Sequence, residues 1–331
     1  MSSFGTFEFC TLFDQGFLSR GLALIESIEK NFKDFRIHVL CLDGLTHTML
    51  ERIANPRVVP LRLSTLENSR PALLEAKRVR TRQEYCWTLT APWLEYCIRS
   101  HGLSHCIYLD ADIWFISPDV SRIKAELQSC SVFITPHHYA PRYDQSRQSG
   151  IFCVQFVFIR NDREGMKILS RWAEQCLEWC FARQEEGRFG DQKYLDEWPA
   201  LSPSVKVSED LGMGVAPWNA IRFDVQQVGS AFQVREIETG QVYPLAFYHF
   251  HGLRLGERQA LLTKRYRIPE SYVGAVYLRY LGTLTEIEAA YSLPFMAVSL
   301  FTGFKDRLRS WLYRDEYPSV ATRGERGLQD G

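Results

Sequence analysis

The sequence predicts an α/β fold, a mixed and mostly parallel sheet flanked by helices, with a helical C-terminal appendage. Three observations carry this expectation. Short apolar runs alternate with segments of helical spacing through the first half. One of those runs, "CIYLDADIWF" (106–115), ends in two carboxylates, and in open parallel sheets ligands bind at the carboxyl ends of strands. The last third has few strand-like runs and is helical and richer in arginine.

The elements follow in order. "FEFCTLFD" (7–14) is a buried strand, and the helix over 17–32 places Leu18, Leu22, Ile25 and Ile28 on one face. "FRIHVLCLD" (35–43) is a second strand, and "RVVPLRL" (57–63) a third, assigned to a sheet edge because Pro60 cannot donate to a ladder. A long helix over 84–102, kinked near Pro92, leads into the fourth strand and Asp110. "IFCVQFVFIR" (151–160) reads as a central strand. The helix after it carries Leu169, Trp172, Cys176 and Trp179 on a core-facing side, and short strands continue to about residue 250. This divides the chain into 1–258 and a helical extension, 259–331, with a disordered tail.

Composition narrows the partners. With 39 basic and 39 acidic residues the chain has no net field, which argues against nucleic acid. Nine cysteines, without a CxxC pair and mostly within apolar or helical stretches, behave as reduced core thiols and point to the cytoplasm. The first residues have neither the basic nor the apolar region of a signal peptide, and no stretch is long enough to span a membrane, so the fold is expected to start almost at Met1.

Asp-x-Asp alone is weak, since a chain of this composition yields such a pair by chance about as often as not. Its context strengthens it. In an extended segment residues i and i+2 point the same way, so Asp110 and Asp112 converge. Two carboxylates so close repel unless a cation or proton intervenes. Hard oxygen ligands suit Mg²⁺ or Mn²⁺, which complete their shell with water and phosphate. "PLAFYHFHGL" (244–253) offers His249 and His251 as a third ligand, and Gly252 hints at close backbone approach.

Together, the N-terminal strand, Asp110-x-Asp112, the Asp191-Gln192 pair in "GDQKYLD" and "HFHG" (249–252) resemble the GT-A fold of nucleotide-sugar glycosyltransferases. The likeness spans about residues 7–255 and is strongest to the family 8 group and its bacterial surface-polysaccharide relatives. It implies a metal-dependent, retaining transferase in which Asp110, Asp112 and His249 hold Mn²⁺ or Mg²⁺ and Asp191 and Gln192 lie beside the transferred sugar. It further implies that Thr11, Phe13, Asp14, Arg82, Asp110, Ala111 and Gln155 bind the nucleotide sugar, most simply a UDP-sugar. The acceptor would be a glycan or a lipid-linked glycan. The family's Lys-Pro-Trp after the histidine motif is replaced by Leu253, Arg254 and Leu255, which leaves Arg254 as the cation for the diphosphate. Arg80 is a lesser alternative to Arg82 as anion binder, and Trp218 either stacks on a sugar or packs in the core.

Two rivals stand beside this reading. A haloacid-dehalogenase-type phosphatase also ends a strand in Asp-x-Asp, but at its first strand. A non-catalytic, metal-stabilised sugar-binding protein is the other. In 294–317, Leu300, Phe304, Leu308, Trp311 and Leu312 share a helical face amid basic residues, which suggests either peripheral contact with the inner membrane face or packing on the domain.

Overall fold

The computed structural model of the protein describes residues 5–256 and 259–293. The 294–317 helix and the tail expected after it lie outside these residues.

In chain order the first half runs β1 Phe7–Phe13, α1 Leu18–Asn31, β2 Phe35–Cys41, α2 Gly44–Ile53, β3 Val58–Arg62, α3 Leu63–Ser69, α4 Ala72–Val79, α5 Arg82–Ser100, β4 His105–Leu109 and β5 Ile113–Phe115. Next come α6 Val120–Gln128, β6 Val132–Pro136, α7 Ser146–Ser149, β7 Phe152–Arg160, α8 Arg163–Glu178, α9 Trp198–Leu201, β8 Val205–Val207 and β9 Met213–Val215. The rest comprises β10 Phe223–Val228, β11 Ala231–Glu236, β12 Val242–Pro244, β13 Phe247–His249, β14 Arg254–Gly256, β15 Gln259–Leu261, α10 Glu270–Tyr272 and α11 Leu278–Ala290.

A seven-stranded sheet in the order β3-β2-β1-β4-β7-β6-β8 forms the frame, with β7 antiparallel to both its neighbours and the other pairings parallel. β3, the strand with Pro60, is an edge as expected. Strand residues alternate between two buried faces, so both sides carry helices. Phe9, Ile107, Leu109, Phe156 and Phe158 pack with Leu22, Ile25 and Ile28 of α1. Cys10, Cys106, Tyr108, Val157 and Ile159 pack with Leu89 and Trp93 of α5 and Leu169 and Trp172 of α8. α5 begins with a complete capping box, Thr81 with Glu84, and continues through Pro92.

Helices α2, α3 and α4 flank β3 in the stretch between Asp43 and Arg80, where the sequence pattern assigns only the strand at 57–63. Beyond β13 the chain forms the β14–β15 hairpin, and the expected boundary at 258/259 falls within it. The helical segment after the hairpin shares the core of the α1 side. Phe250 stacks on Tyr280 at 3.7 Å between ring centroids, and Tyr248 bonds Tyr277 through their hydroxyls at 3.1 Å.

Candidate active site

The site forms where β4 gives way to β5. Asp110, Ala111 and Asp112 make the turn between them, closed by Ile113 N–H donating to the Asp110 carbonyl at 3.3 Å. β5 then leaves the main sheet for a small sheet, β5-β13-β9, in which Ile113 pairs with His249. The Phe250 N–H donates to the Asp112 carbonyl at 2.9 Å. A short antiparallel register therefore carries His249 to the Asp-x-Asp turn from 137 residues away in sequence, as 249 minus 112.

Ligand atoms of Asp110, Asp112 and His249 lie within 4.8 Å of one another. His249 Nε2 is 3.2 Å from Asp112 Oδ1 and 3.8 Å from Asp110 Oδ2. Its other nitrogen, Nδ1, sits 2.8 Å from Gln155 Oε1. An amide oxygen can only accept, so Nδ1 carries the proton and Nε2 presents its lone pair to the carboxylates in the neutral ring. Two carboxylates and one imidazole facing a common point, partly open to solvent, fit Mn²⁺ or Mg²⁺ with room for water and phosphate.

The electrostatics agree with that fit. Burial pushes Asp110 up to about 6, reinforced by the Asp112 charge. Asp112 feels the same desolvation, but the His249 charge and hydrogen bond, with Arg20, hold it down to about 2. Burial disfavours protonated His249, yet Asp112 and Asp110 carry it well above the usual histidine value. Without a cation, the imidazole proton plays the neutralising part that a divalent ion would take.

Asp191 lies next to this group. It is 5% exposed, and burial together with the Asp110 charge raises its carboxyl to about 7. Its carbonyl accepts from Trp172 Nε1 at 2.8 Å, and Gln192 Nε2 donates to the Ser149 carbonyl at 2.8 Å. Gly190, at φ +53 with Trp87 against it, turns the chain into the pair.

Other expected site residues fall in different places. Asp14 and Arg82, far apart in sequence, form an ion pair at the open end of β1, with Arg82 the first residue of α5. Thr11 and Phe13 are buried, and the Thr11 carbonyl accepts from Trp93 Nε1 at 2.9 Å, so their side chains face the interior. Ala111 is buried in the turn between Asp110 and Asp112. Gln155, expected against the donor sugar, is fully buried behind His249 and donates to Thr135 Oγ1 at 3.3 Å. Gly214, at φ +102, packs on it so closely that a Cβ would lie 2.4 Å from Gln155 Nε2.

Arg80 is an internal cap: its guanidinium donates to the Cys176 and Leu177 carbonyls, both at 2.7 Å, at the end of α8. Trp218 is buried, with its indole N–H on the His137 carbonyl at 2.8 Å and its ring 5.2 Å from His249 and 5.4 Å from His251. It supports the two histidines and offers no face to a sugar. His251 is exposed and Arg254 stands on β14, also exposed. The pattern reading missed Arg20, which is 5% exposed, donates to the Leu253 carbonyl at 2.8 Å and adds positive charge near Asp112.

No family model matches the chain. It is 30% identical to the uncharacterized protein YfnD of Bacillus subtilis (strain 168) over 86% of its own length and 92% of that protein. It is 31% identical to the uncharacterized protein YfnF of the same organism over 76% and 82%. The chain belongs to the family of these two proteins. Among solved structures, the galactosyltransferase LgtC in complex with donor and acceptor sugar analogs superposes with a TM-score of 0.53 at 12% identity, over 84% of this chain and 95% of LgtC. The bifunctional glycosyltransferase WbbM superposes at 0.51 with 11% identity, over 87% of this chain and 52% of WbbM. The fold is therefore the GT-A fold expected from the sequence.

Proposed function

We propose that this protein is a metal-dependent glycosyltransferase that moves a sugar from a nucleoside-diphosphate sugar, most simply a UDP-sugar, to a glycan or lipid-linked acceptor. One observation carries the reading: Asp110, Asp112 and His249 converge at the carboxyl end of the GT-A sheet, with buried Asp191 alongside. LgtC, the fold relative with sugar analogs bound, lends general support to a site for donor and acceptor.

Mn²⁺ or Mg²⁺, held by Asp110, Asp112 and His249, would neutralise charge building on the departing diphosphate. The chain's own residues do the rest. Gln155 orients His249, while Asp14 and Arg82 hold the nucleotide end of the donor at the mouth of β1. Asp191 and Gln192 hold sugar hydroxyls and place the anomeric carbon against the acceptor. Retention of anomeric configuration, a part in surface-polysaccharide synthesis and a cytoplasmic location belong to the same proposal. Among the described residues no helix is long and apolar enough to cross a membrane.

The test is calorimetric titration of UDP and GDP with and without Mn²⁺, followed by a nucleotide-sugar hydrolysis screen. Nucleotide binding that requires the metal supports the reading. Binding of no nucleotide under either condition overturns it. The phosphatase alternative is disfavoured because the aspartate after the first strand, Asp14, is engaged with Arg82 and the Gly16 amide.

A further inference from the structure

Two segments that are distant in sequence close over the histidine side of the site. The first is 137–150, which includes α7, and the second is 262–268, after the hairpin. Gln145 Nε2 donates to the Tyr266 hydroxyl at 2.7 Å, the Arg267 N–H donates to the Tyr143 hydroxyl at 2.9 Å, and the Tyr143 and Tyr266 rings meet edge to face at 5.2 Å. An aromatic path joins this lip to the metal ligands. Tyr266 lies 6.5 Å from His251, His251 lies 5.4 Å from Trp218, and Trp218 lies 5.2 Å from His249. On its other flank the Ser149 carbonyl takes the Gln192 amide and the Ser146 carbonyl takes Lys193 Nζ.

The charge on this lip is one-sided. Arg142, Arg147, Arg265 and Arg267 are all exposed, and none forms an ion pair with a described residue. Arg265 bonds neutral Gln145, and Arg142 lies over the Tyr143 ring at 5.1 Å. Exposed arginines elsewhere are commonly matched, as Arg78 with Glu75, Arg171 with Glu197 and Arg183 with Glu185. The lip holds one carboxylate, Asp144, which is occupied locally by the Ser146 amide and hydroxyl, while Lys193 is neutralised by Asp196. In a chain with no net charge, four unmatched guanidinium groups beside the candidate site form a local anion-binding face.

From this juxtaposition we propose that the lip formed by residues 137–150 and 262–268 receives an acidic glycan acceptor, one bearing phosphate or carboxylate groups, through Arg142, Arg147, Arg265 and Arg267. The inference rests on the glycosyltransferase reading for its purpose, but the anion-binding face stands on its own geometry. Planar guanidinium groups bind phosphate and carboxylate in a bidentate manner, and half-buried Tyr143 adds some apolar surface beside them. The acceptor chain would thus approach from the side of His251 and Gln192.

The probes are a polygalacturonate oligomer, a ribitol-phosphate oligomer and a neutral dextran oligomer, titrated by calorimetry against the full chain and the variant R142Q/R147Q/R265Q/R267Q. Mn²⁺-dependent UDP binding and melting temperature serve as controls on both proteins. The expected result is binding of at least one acidic oligomer that weakens with salt, falls roughly ten-fold or more in the variant, and leaves UDP binding and melting temperature unchanged. Equal affinity for dextran, or equal affinity of the variant for the acidic oligomer, overturns the proposal. Co-sedimentation with phosphatidylglycerol vesicles, absent with phosphatidylcholine vesicles and without binding of either oligomer, also overturns it and makes the lip a membrane face. Loss of UDP binding in the unmodified protein refutes the transferase reading separately, whatever the oligomers do.

Discussion

Gln155 and His249 are joined by a 2.8 Å hydrogen bond from imidazole Nδ1 to the amide oxygen, and both residues are almost wholly buried. Gln155 is therefore a positioning residue, since it touches the histidine and leaves the carboxylates to others. Replacing it with leucine keeps the volume but removes the acceptor that fixes the ring. Q155L is expected to weaken Mn²⁺ binding by roughly 10- to 100-fold with little loss of helical signal. Titration followed by Mn²⁺ electron paramagnetic resonance measures this, and unchanged affinity would show that the bond does not set the ring.

Of the two carboxylates proposed to hold the metal, Asp112 is the firmer candidate, because His249 and Arg20 keep it ionised while Asp110 is pushed up. D112N should abolish metal-dependent nucleotide binding and preserve the fold. Full UDP binding in the presence of Mn²⁺ by D112N would end the metal-site assignment.

Much of this arrangement was legible in the sequence. The first four strands, the edge position of Pro60 and the Asp110, Asp112 and His249 triad follow from alternation, proline chemistry and the resemblance. Helix α2 was not, because it brings only Thr46, His47 and Leu50 to the interior, too few for a helical stripe. The small β5-β13-β9 sheet was legible only as short strand-like pieces, because three residues per strand leave the choice of partners to tertiary contact. Arg20 carries no sequence signal and Arg80 is expected there as an alternative anion binder, yet both are buried against backbone carbonyls, a partnership fixed by tertiary contact alone.

Arg80 and Arg82 make an informative pair of variants. Arg80 satisfies two carbonyls at the end of α8 and the Thr88 hydroxyl, so R80M leaves buried acceptors unpaired. A loss of about 2–4 kcal/mol is expected in urea unfolding. Arg82 has a side chain that is 73% exposed. R82A should change stability by no more than about 0.5 kcal/mol and weaken nucleotide binding. Equal destabilisation by both would contradict these assignments.

Gly214 has no room for a side chain: its φ is +102 and a Cβ would meet Gln155 Nε2 at 2.4 Å. G214A should therefore cost about 1–3 kcal/mol through backbone strain and displace the residue that orients His249. Thermal melting and Mn²⁺ titration should shift together, and a variant with wild-type behaviour in both would show that the close approach does not matter.

Acid stability should report on His137, which stacks on Tyr139 at 4.5 Å, meets Trp218 edge to face and places Nδ1 3.2 Å from the Ile151 carbonyl. Burial pushes this imidazole down to about 3, and the Ile151 carbonyl opposes the shift only in part. Above about pH 6.5 the ring is neutral in both folded and unfolded chains and contributes no pH dependence. As pH falls below that value the unfolded chain takes up a proton that the folded chain refuses, so stability is lost progressively down to the folded value near 3. Between pH 6.5 and 5 this single group should remove about 2 kcal/mol. H137Q, neutral throughout, should lose correspondingly less over the same window relative to its own stability at pH 7. The check is urea unfolding of both proteins at pH 7, 6 and 5. Parallel acid slopes for the two would mean that His137 is protonated as easily in the folded chain as in the unfolded one.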